Sequence, residues 1–136
     1  MIVDTSALIA ILRDEPEART FLSLIDTAPS KGISAVNFVE TAIVVESSRD
    51  PIASRRFDEL CRDLGLIPMA VDETQARLAR EAYRDFGEGS GHPAQLNFGD
   101  CFAYALAKSR NEPLLFKGDD FSCTDVALAL PARLEP

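Results

Sequence analysis

Four acidic residues spread over the chain have the types and positions for metal-ion chemistry. They are Asp4, Glu40, Asp100 and Asp119. Asp4 and Asp119 each follow an apolar run that is typical of a buried strand, and in open α/β sheets ligands bind beyond the carboxyl ends of the strands. Carboxylates gathered there need a neutralising positive charge, and oxygen ligands suit Mg²⁺ or Mn²⁺. The pattern indicates a metal-dependent phosphodiesterase, in which paired cations hold the phosphate and activate a water.

Glu40 lies on an apolar stripe of a predicted helix, together with Val39 and Ile43. A carboxylate on such a stripe needs a partner, and no cationic residue occurs between Lys31 and Arg49. A metal ion or a distant arginine is therefore expected to serve. The alternative is that Glu40 reaches solvent from the margin of the stripe.

Asp100 falls in the first turn of a helix that Asn97 is predicted to cap. The helix dipole favours an acid at that position whatever its role. The residues after it, 101–107, are apolar nearly all round, which indicates a buried helix whose N-terminus opens on the sheet edge. The fourth acid is less clearly marked, because Asp119 has Asp120 and Asp125 as neighbours, and Asp119 is the preferred candidate.

The elements that must position these acids alternate between strands and helices, which predicts an α/β fold with a mostly parallel central sheet flanked by helices in three α/β/α layers. Strands are predicted at residues 1–4, near Ile33, and at 66–71, 113–117 and 126–130. Helices are predicted at 7–13, 16–27, from a cap at 34 or 37 to about 47, from 51, at 72–86 and at 98–109. Residues 87–96 are predicted to form an irregular loop.

The bulk properties narrow the class of protein. A length of 136 residues predicts one globular domain over residues 1–136. No stretch approaches the ~20 apolar residues of a membrane span. Three cysteines at unrelated spacings and a single histidine argue against a disulfide framework or a zinc site, and fit a reducing cytoplasm. The net charge of −8 disfavours general attraction to nucleic acid, but carboxylates neutralised by divalent ions can still engage phosphate, and the acidity predicts a basic partner.

Several segments make the chain resemble the PIN-domain ribonucleases, specifically the VapC-type toxins of bacterial toxin–antitoxin pairs. They are residues 1–7 (MIVDTSA), Glu40, residues 96–105 (LNFGDCFAYA) and residues 113–121 (PLLFKGDDF). The resemblance spans essentially the whole chain. It implies a PIN-like fold with Asp4, Glu40 and Asp100 as the core acids and Asp4 and Asp100 as the main Mg²⁺ ligands, with Mn²⁺ able to substitute. Ser6, or else Thr5, would orient a metal-bound water or ligand.

The same resemblance implies an endoribonuclease that cuts tRNA or rRNA at limited sites and so arrests translation. It also implies a homodimer that a cognate VapB-type antitoxin silences, commonly by inserting a basic side chain into the acidic pocket. The other class of function is a PIN-like module that binds RNA or protein without cutting. A phosphatase of the haloacid dehalogenase type and a receiver domain are disfavoured, because each needs a different arrangement of acids near the first strand.

Two surfaces are candidates for binding. Arg77, Arg80 and Arg84 recur at i, i+3 and i+7 and are candidate contacts to RNA phosphates. They can instead form exposed i, i+4 pairs with Glu73, Glu81 and Asp85. The helix that bears Glu40 also has a second apolar face, formed by Phe38, Ala42 and Val45. If that face is exposed, it predicts a dimer or antitoxin surface.

Overall fold

The computed structural model describes residues 1–129, which form a four-stranded sheet with helices on both faces. The strands are β1 (Ile2–Val3), β2 (Gly32–Ser34), β3 (Ile67–Met69) and β4 (Leu114–Leu115). The helices are α1 (Thr5–Leu12), α2 (Ala18–Thr27), α3 (Ala35–Glu46), α4 (Pro51–Leu64), α5 (Glu73–Phe86) and α6 (Phe98–Arg110), followed by a 3₁₀ helix at Asp120–Cys123. The predicted alternation of strands and helices is confirmed.

The strands are ordered β3-β2-β1-β4 and every neighbouring pair is parallel. Ile2 pairs with Gly32 on one side and with Leu114 on the other, so β1 is central. Pro68 lies in β3, an edge strand, where a missing N–H is tolerated. This order brings the carboxyl ends of β1, β2 and β4 together at one edge of the sheet.

Alternation along the strands separates two apolar layers. Ile2 and Leu114 pack into a cluster with α5 and α6. Val3, Ile33 and Leu115 pack into a second cluster with α1 to α4. The predicted three-layer α/β/α arrangement is therefore confirmed, with β1, β2 and β4 buried between helices and the edge strand β3 largely exposed.

Polar side chains fix where the helices begin. Ser34, Asp72 and Asn97 each accept a hydrogen bond from a backbone N–H in the first turn of the helix that follows. Ser34, and not Asn37, therefore caps α3. The predicted strand at 113–117 is shorter, and in place of the strand at 126–130 a single parallel bridge joins Leu128 to Leu114. Residue 130 of that prediction lies outside the described residues.

Two further features of residues 1–129 bear on the predictions. Residues 87–96 contain no helix, and one bridge between Gly87 and Leu96 closes them into a loop, as expected. Within the described part of the chain, no helix has the length and apolar character needed to cross a membrane.

Candidate active site

A cavity of about 490 Å³ lies where β1, α3, α6 and the segment after β4 converge. The residues that line it are Asp4, Thr5, Ser6, Ile9, Arg13, Glu15, Glu40, Val44, Asn97, Asp100, Lys117 and Asp120. Three of the four predicted acids, Asp4, Glu40 and Asp100, thus share one site although they are far apart in sequence. Both hydroxyl residues that were predicted to support them, Thr5 and Ser6, line it as well.

Asp4 ends β1 and caps α1, and it is only 3% exposed. Its Oδ2 accepts hydrogen bonds from the Ser6 backbone N–H at 3.0 Å and from Ser6 Oγ at 2.6 Å. Its Oδ1 is buried and has no hydrogen-bond donor among the described residues. Burial raises the pKa of Asp4 to about 6, the bonds from Ser6 oppose that rise, and the nearby Glu40 carboxylate adds to it.

Ser6 connects this acid to the segment after β4. Its Oγ donates to Asp4 and accepts from the backbone N–H of Lys117 at 2.9 Å. A hydroxyl has one proton, so the bond from Lys117 leaves the Ser6 proton free for Asp4. The two ends of the described chain are thereby joined through the side chain of Ser6.

Among the described residues, Glu40 is held by neutral donors and not by a cation. Its Oε1 accepts from Thr5 Oγ1 at 2.6 Å and from Asn37 Nδ2 at 3.3 Å. Asn37 Nδ2 also donates to the Gly99 carbonyl at 3.0 Å, which ties α3 to α6. A Cβ built on Gly99 would overlap the Glu40 carboxylate, so the absence of a side chain at this position makes room for the acid.

Asp100 is half-buried and lies in the first turn of α6. Its Oδ2 accepts from the Asn97 backbone N–H at 3.0 Å, while Asn97 Oδ1 accepts from the Asp100 N–H at 2.9 Å, which completes a capping box. Burial raises the pKa of Asp100 to about 7. The bond from Asn97 opposes this rise, and the carboxylates of Asp4, Asp120 and Glu40 add to it.

The three candidates for the fourth acid lie in different places. Asp120 lines the cavity and the preferred candidate Asp119 does not, although both side chains are exposed. Asp125 is engaged elsewhere, because it accepts from the Tyr104 hydroxyl at 2.5 Å and from Lys108 Nζ at 3.1 Å. The chain turns at Gly118, whose φ is 104°, and enters the 3₁₀ helix at Asp120, so successive side chains point in different directions.

Comparison with known proteins identifies the family. Residues 1–127 match the family model of the PIN domain. The chain is 55% identical to Ribonuclease VapC28 of Mycobacterium tuberculosis over 133 residues, which are 98% of this chain and 100% of that protein. The chain belongs to the VapC ribonuclease family of PIN-domain proteins.

Solved structures of VapC proteins have the same fold at low sequence identity. M. tuberculosis VapC20, described as a Sarcin-Ricin loop cleaving toxin, matches with a TM-score of 0.70 and 17% identity over 93% of this chain and 95% of that one. VapBC-5 of M. tuberculosis, from the VapBC family of toxin-antitoxin systems, matches with a TM-score of 0.63 and 20% identity over 94% and 92%. This membership excludes the phosphatase and the receiver domain.

The cavity of this VapC family member fits a hard divalent cation. Within residues 1–129, no three His, Cys, Asp or Glu side chains already form a closed metal-binding group. Mg²⁺ does not require one, because it keeps several waters and is held by one or two carboxylates. Asp4 Oδ1 is a buried acceptor without a donor, and the desolvated Asp100 is surrounded by other carboxylates. Both features indicate a site that a cation would stabilise.

The predicted arginine stripe, Arg77, Arg80 and Arg84, lies on α5 and not at the acidic cavity. Arg77 pairs with Glu73 at 3.3 Å and Arg84 with Asp85 at 2.9 Å, and all four side chains are mostly exposed. None of Arg77, Arg80 and Arg84 lines the acidic cavity. Their contact with RNA stays a prediction.

Two residues with clear roles in positioning Glu40 were not predicted as site residues. Asn37 is fully buried and is expected from sequence only as a helix cap, and Gly99 enters only as part of the segment LNFGDCFAYA. A signal for Asn37 was present, because it precedes Glu40 by three residues on one helix face. No local pattern marks Gly99, since its neighbour comes from another helix.

Proposed function

We propose that this VapC family member is the toxin of a type II toxin–antitoxin pair and acts as a metal-dependent endoribonuclease on tRNA or rRNA in the cytoplasm. Hydrolysis of these RNAs would arrest translation. The observation that carries the proposal is the buried, unpaired Oδ1 of Asp4 in a cavity that also contains Glu40 and Asp100. Such an arrangement is unfavourable for the chain alone and favourable with a cation.

In this proposal Asp4 and Asp100 hold Mg²⁺, for which Mn²⁺ can substitute, and Glu40 and a fourth acid complete the site. The position of Asp120 in the cavity favours it over Asp119 as that fourth acid. When bound, the cation lowers the pKa of a coordinated water and stabilises negative charge on the phosphate.

Side chains of the protein itself position the acids and accept the proton. Ser6 fixes Asp4 through Oδ2, which leaves Oδ1 available. Thr5 and Asn37 fix Glu40 through Oε1, and Oε2 has no donor among the described residues. Oε2 is therefore the atom that we assign to accept a proton from water or to contact the cation. Holding these acids in fixed positions lowers the reorganisation that the reaction requires.

The test is cleavage of end-labelled total tRNA and rRNA by the purified protein with Mg²⁺ or Mn²⁺, and with EDTA. Asp4→Asn and Asp100→Asn variants that remain folded should lose discrete cleavage, whereas Glu81→Gln, on the exposed face of α5, should retain it. No cleavage of any RNA by the wild type would favour a binding module. Cleavage that survives both substitutions would refute this active site.

We further propose that the protein forms a homodimer through an apolar surface on α3 and α6, formed by Val39, Ile43 and Phe98. These side chains are 53%, 64% and 70% exposed and line a depression of about 570 Å³ beside Glu40. The face considered from sequence, with Phe38, Ala42 and Val45, instead packs within the core and is not available. Large exposed apolar patches commonly mark interfaces.

Light scattering during gel filtration tests the dimer. Ile43→Glu should convert it to a monomer, because a charge would be buried at the interface. Ile52→Glu is the matched control, since Ile52 is also 64% exposed but lies on α4. A wild-type monomer at micromolar concentration, or a dimer that survives Ile43→Glu, would contradict this surface.

A VapB-type antitoxin is the other proposed partner. Five carboxylates and two cations line the cavity, so a basic side chain from a partner would find a complementary site. Titration of the cognate antitoxin into the cleavage reaction should stop cleavage, and an antitoxin without its basic side chain should inhibit less. Full inhibition by such a variant would place the inhibitory contact outside the cavity.

A further inference from the structure

Two cationic side chains, Arg13 and Lys117, line the acidic cavity. They differ in whether a nearby carboxylate balances their positive charge. Lys117 Nζ contacts Glu15 at 2.9 Å and Glu17 at 3.3 Å, so its charge is already balanced by two carboxylates. The Arg13 side chain makes no ion pair or hydrogen bond within residues 1–129 and is exposed. Arg13 is therefore the cation of this cavity that is available to a ligand.

The place of Arg13 on α1 sets its distance from the reacting centre. Ser6, Ile9 and Arg13 are separated by three and four residues, so they follow one face of α1 along the cavity wall. Arg13 comes nine positions after Asp4, which corresponds to roughly 13 Å along a helix. This backbone separation places Arg13 at the end of the cavity wall away from Asp4, which suits a neighbouring phosphate of the same RNA strand.

We propose that Arg13 binds a backbone phosphate that flanks the scissile bond and so positions the RNA strand in the cavity. This inference rests on the proposed ribonuclease function. An RNA strand that approaches five carboxylates is repelled by any acid that a cation does not neutralise, and the planar guanidinium can bind phosphate oxygens in a bidentate manner. Arg13 is a positioning residue in this scheme, because it contacts the substrate away from the reacting atoms.

The alternative role for Arg13 is purely structural. It is the capping residue of α1, where its positive charge interacts favourably with the C-terminal end of the helix. That role would affect stability but not the binding of RNA. The two explanations therefore differ in their dependence on salt, since each phosphate contact to a single strand releases counterions and contributes about 0.7 to the slope of log affinity against log salt.

The experiment measures kcat and KM for cleavage of one RNA at several KCl concentrations, with wild type, Arg13→Ala, Arg13→Lys and Arg19→Ala. Arg19 is the matched control, because it is exposed on α2 and does not line the acidic cavity. Arg13→Ala should raise KM about tenfold with little change in kcat, as expected for one charged hydrogen-bonded contact, and should lower the salt slope by about 0.7. Arg13→Lys should keep the slope but regain only part of the affinity.

The inference is overturned if Arg13→Ala and Arg19→Ala have the same KM and the same salt slope, or if Arg13→Ala lowers kcat alone. Fluorescence anisotropy of a labelled single-stranded RNA separates this inference from the proposed function. If the wild type cleaves no RNA but binds it more tightly than Arg13→Ala does, the ribonuclease proposal fails and the phosphate contact stands. Equal binding by both proteins overturns the contact.

Discussion

The carboxylate of Glu40 on α3 lies against the α-carbon of Gly99 on α6, where any side chain would overlap it. The Asn37 side chain links the same two elements, because its amide donates both to Glu40 and to the Gly99 carbonyl. Gly99 therefore contributes to the site because its lack of a side chain leaves room for the Glu40 carboxylate. The consequence is that a single methyl group should displace an acid without disturbing the core.

Gly99→Ala should lower cleavage about 100-fold, the order of loss that follows a displacement of about 1 Å in an active site. Stability should change little, because the loss of the bonds from Thr5 and Asn37 to Glu40 is offset by the better helix propensity of alanine. Thermal unfolding and cleavage rates measured on the same preparation check whether cleavage falls while stability is retained.

A double mutant tests whether the effect passes through Glu40. Gly99→Ala introduced into Glu40→Gln should cause little further loss, since the carboxylate that it displaces is already altered. Losses that add fully in the double mutant would show that Gly99 matters for another reason.

The stability of the metal-free protein should fall as pH rises from about 4 to 7. The pKa of Asp4 is raised to about 6 and that of Asp100 to about 7, against an ordinary value of 3.8, so the folded state binds more protons than the unfolded state in this window. Their favourable contribution is fully present below 3.8 and is lost as pH rises through the raised values. Urea unfolding in EDTA at several pH values measures the slope.

Asp100→Asn supplies the control for this dependence, because it removes one of the two titrations and should flatten the curve. Carboxylates with a lowered pKa, such as Asp125 beside Tyr104 and Lys108, have the opposite effect, but only at lower pH. Added Mg²⁺ should stabilise the protein more at pH 8 than at pH 5, since protons compete with the cation. Stability that rises between pH 5 and 7 in EDTA would refute the assignment.

Asp120→Asn should reduce cleavage by 10- to 100-fold, the range expected when a residue that supports metal binding is altered. Asp119→Asn should leave cleavage close to that of the wild type, because Asp119, unlike Asp120, does not line the cavity. Asp125→Asn should affect stability more than cleavage, since it loses charge-assisted bonds to Tyr104 and Lys108. The reverse ranking of Asp119 and Asp120 in the same cleavage assay would support Asp119, the candidate preferred from sequence.

Ser6→Ala should lower both stability and activity. The substitution removes the 2.6 Å bond to Asp4, for which about 1–2 kcal/mol is expected, whereas water can replace Ser6 at the exposed Lys117 N–H. Because the bonds from Ser6 lower the pKa of Asp4, their partial loss should move the pH midpoint of activity upward. Ser23→Ala, at an exposed position of α2, is the matched control. An unchanged pH midpoint would separate Ser6 from Asp4.

The sequence by itself determined the order of the elements and three of the site acids. Helix starts at Ser34, Asp72 and Asn97 are specified by side chains that bond to a backbone N–H two or three residues away. Short apolar runs fixed the buried strands, and the parallel alternation then required their carboxyl ends to share one edge. Asp4 could be selected because it follows such a strand, and Asp100 because it opens a buried helix. Glu40 could be selected because its carboxylate lies on an apolar stripe and no cation is near it in sequence, although the structure leaves Val39 and Ile43 of that stripe exposed.

The tertiary structure alone decided which neighbours complete the site and which surfaces stay exposed. The contacts of Thr5 with Glu40, Asn37 with Gly99 and Ser6 with Lys117 join residues 35, 62 and 111 positions apart. The choice between Asp119 and Asp120 depends on the turn at Gly118. Helical periodicity identified both apolar faces of α3, but it did not indicate which face another helix would cover. Local patterns encode backbone conformation, but side-chain partners across the fold depend on packing.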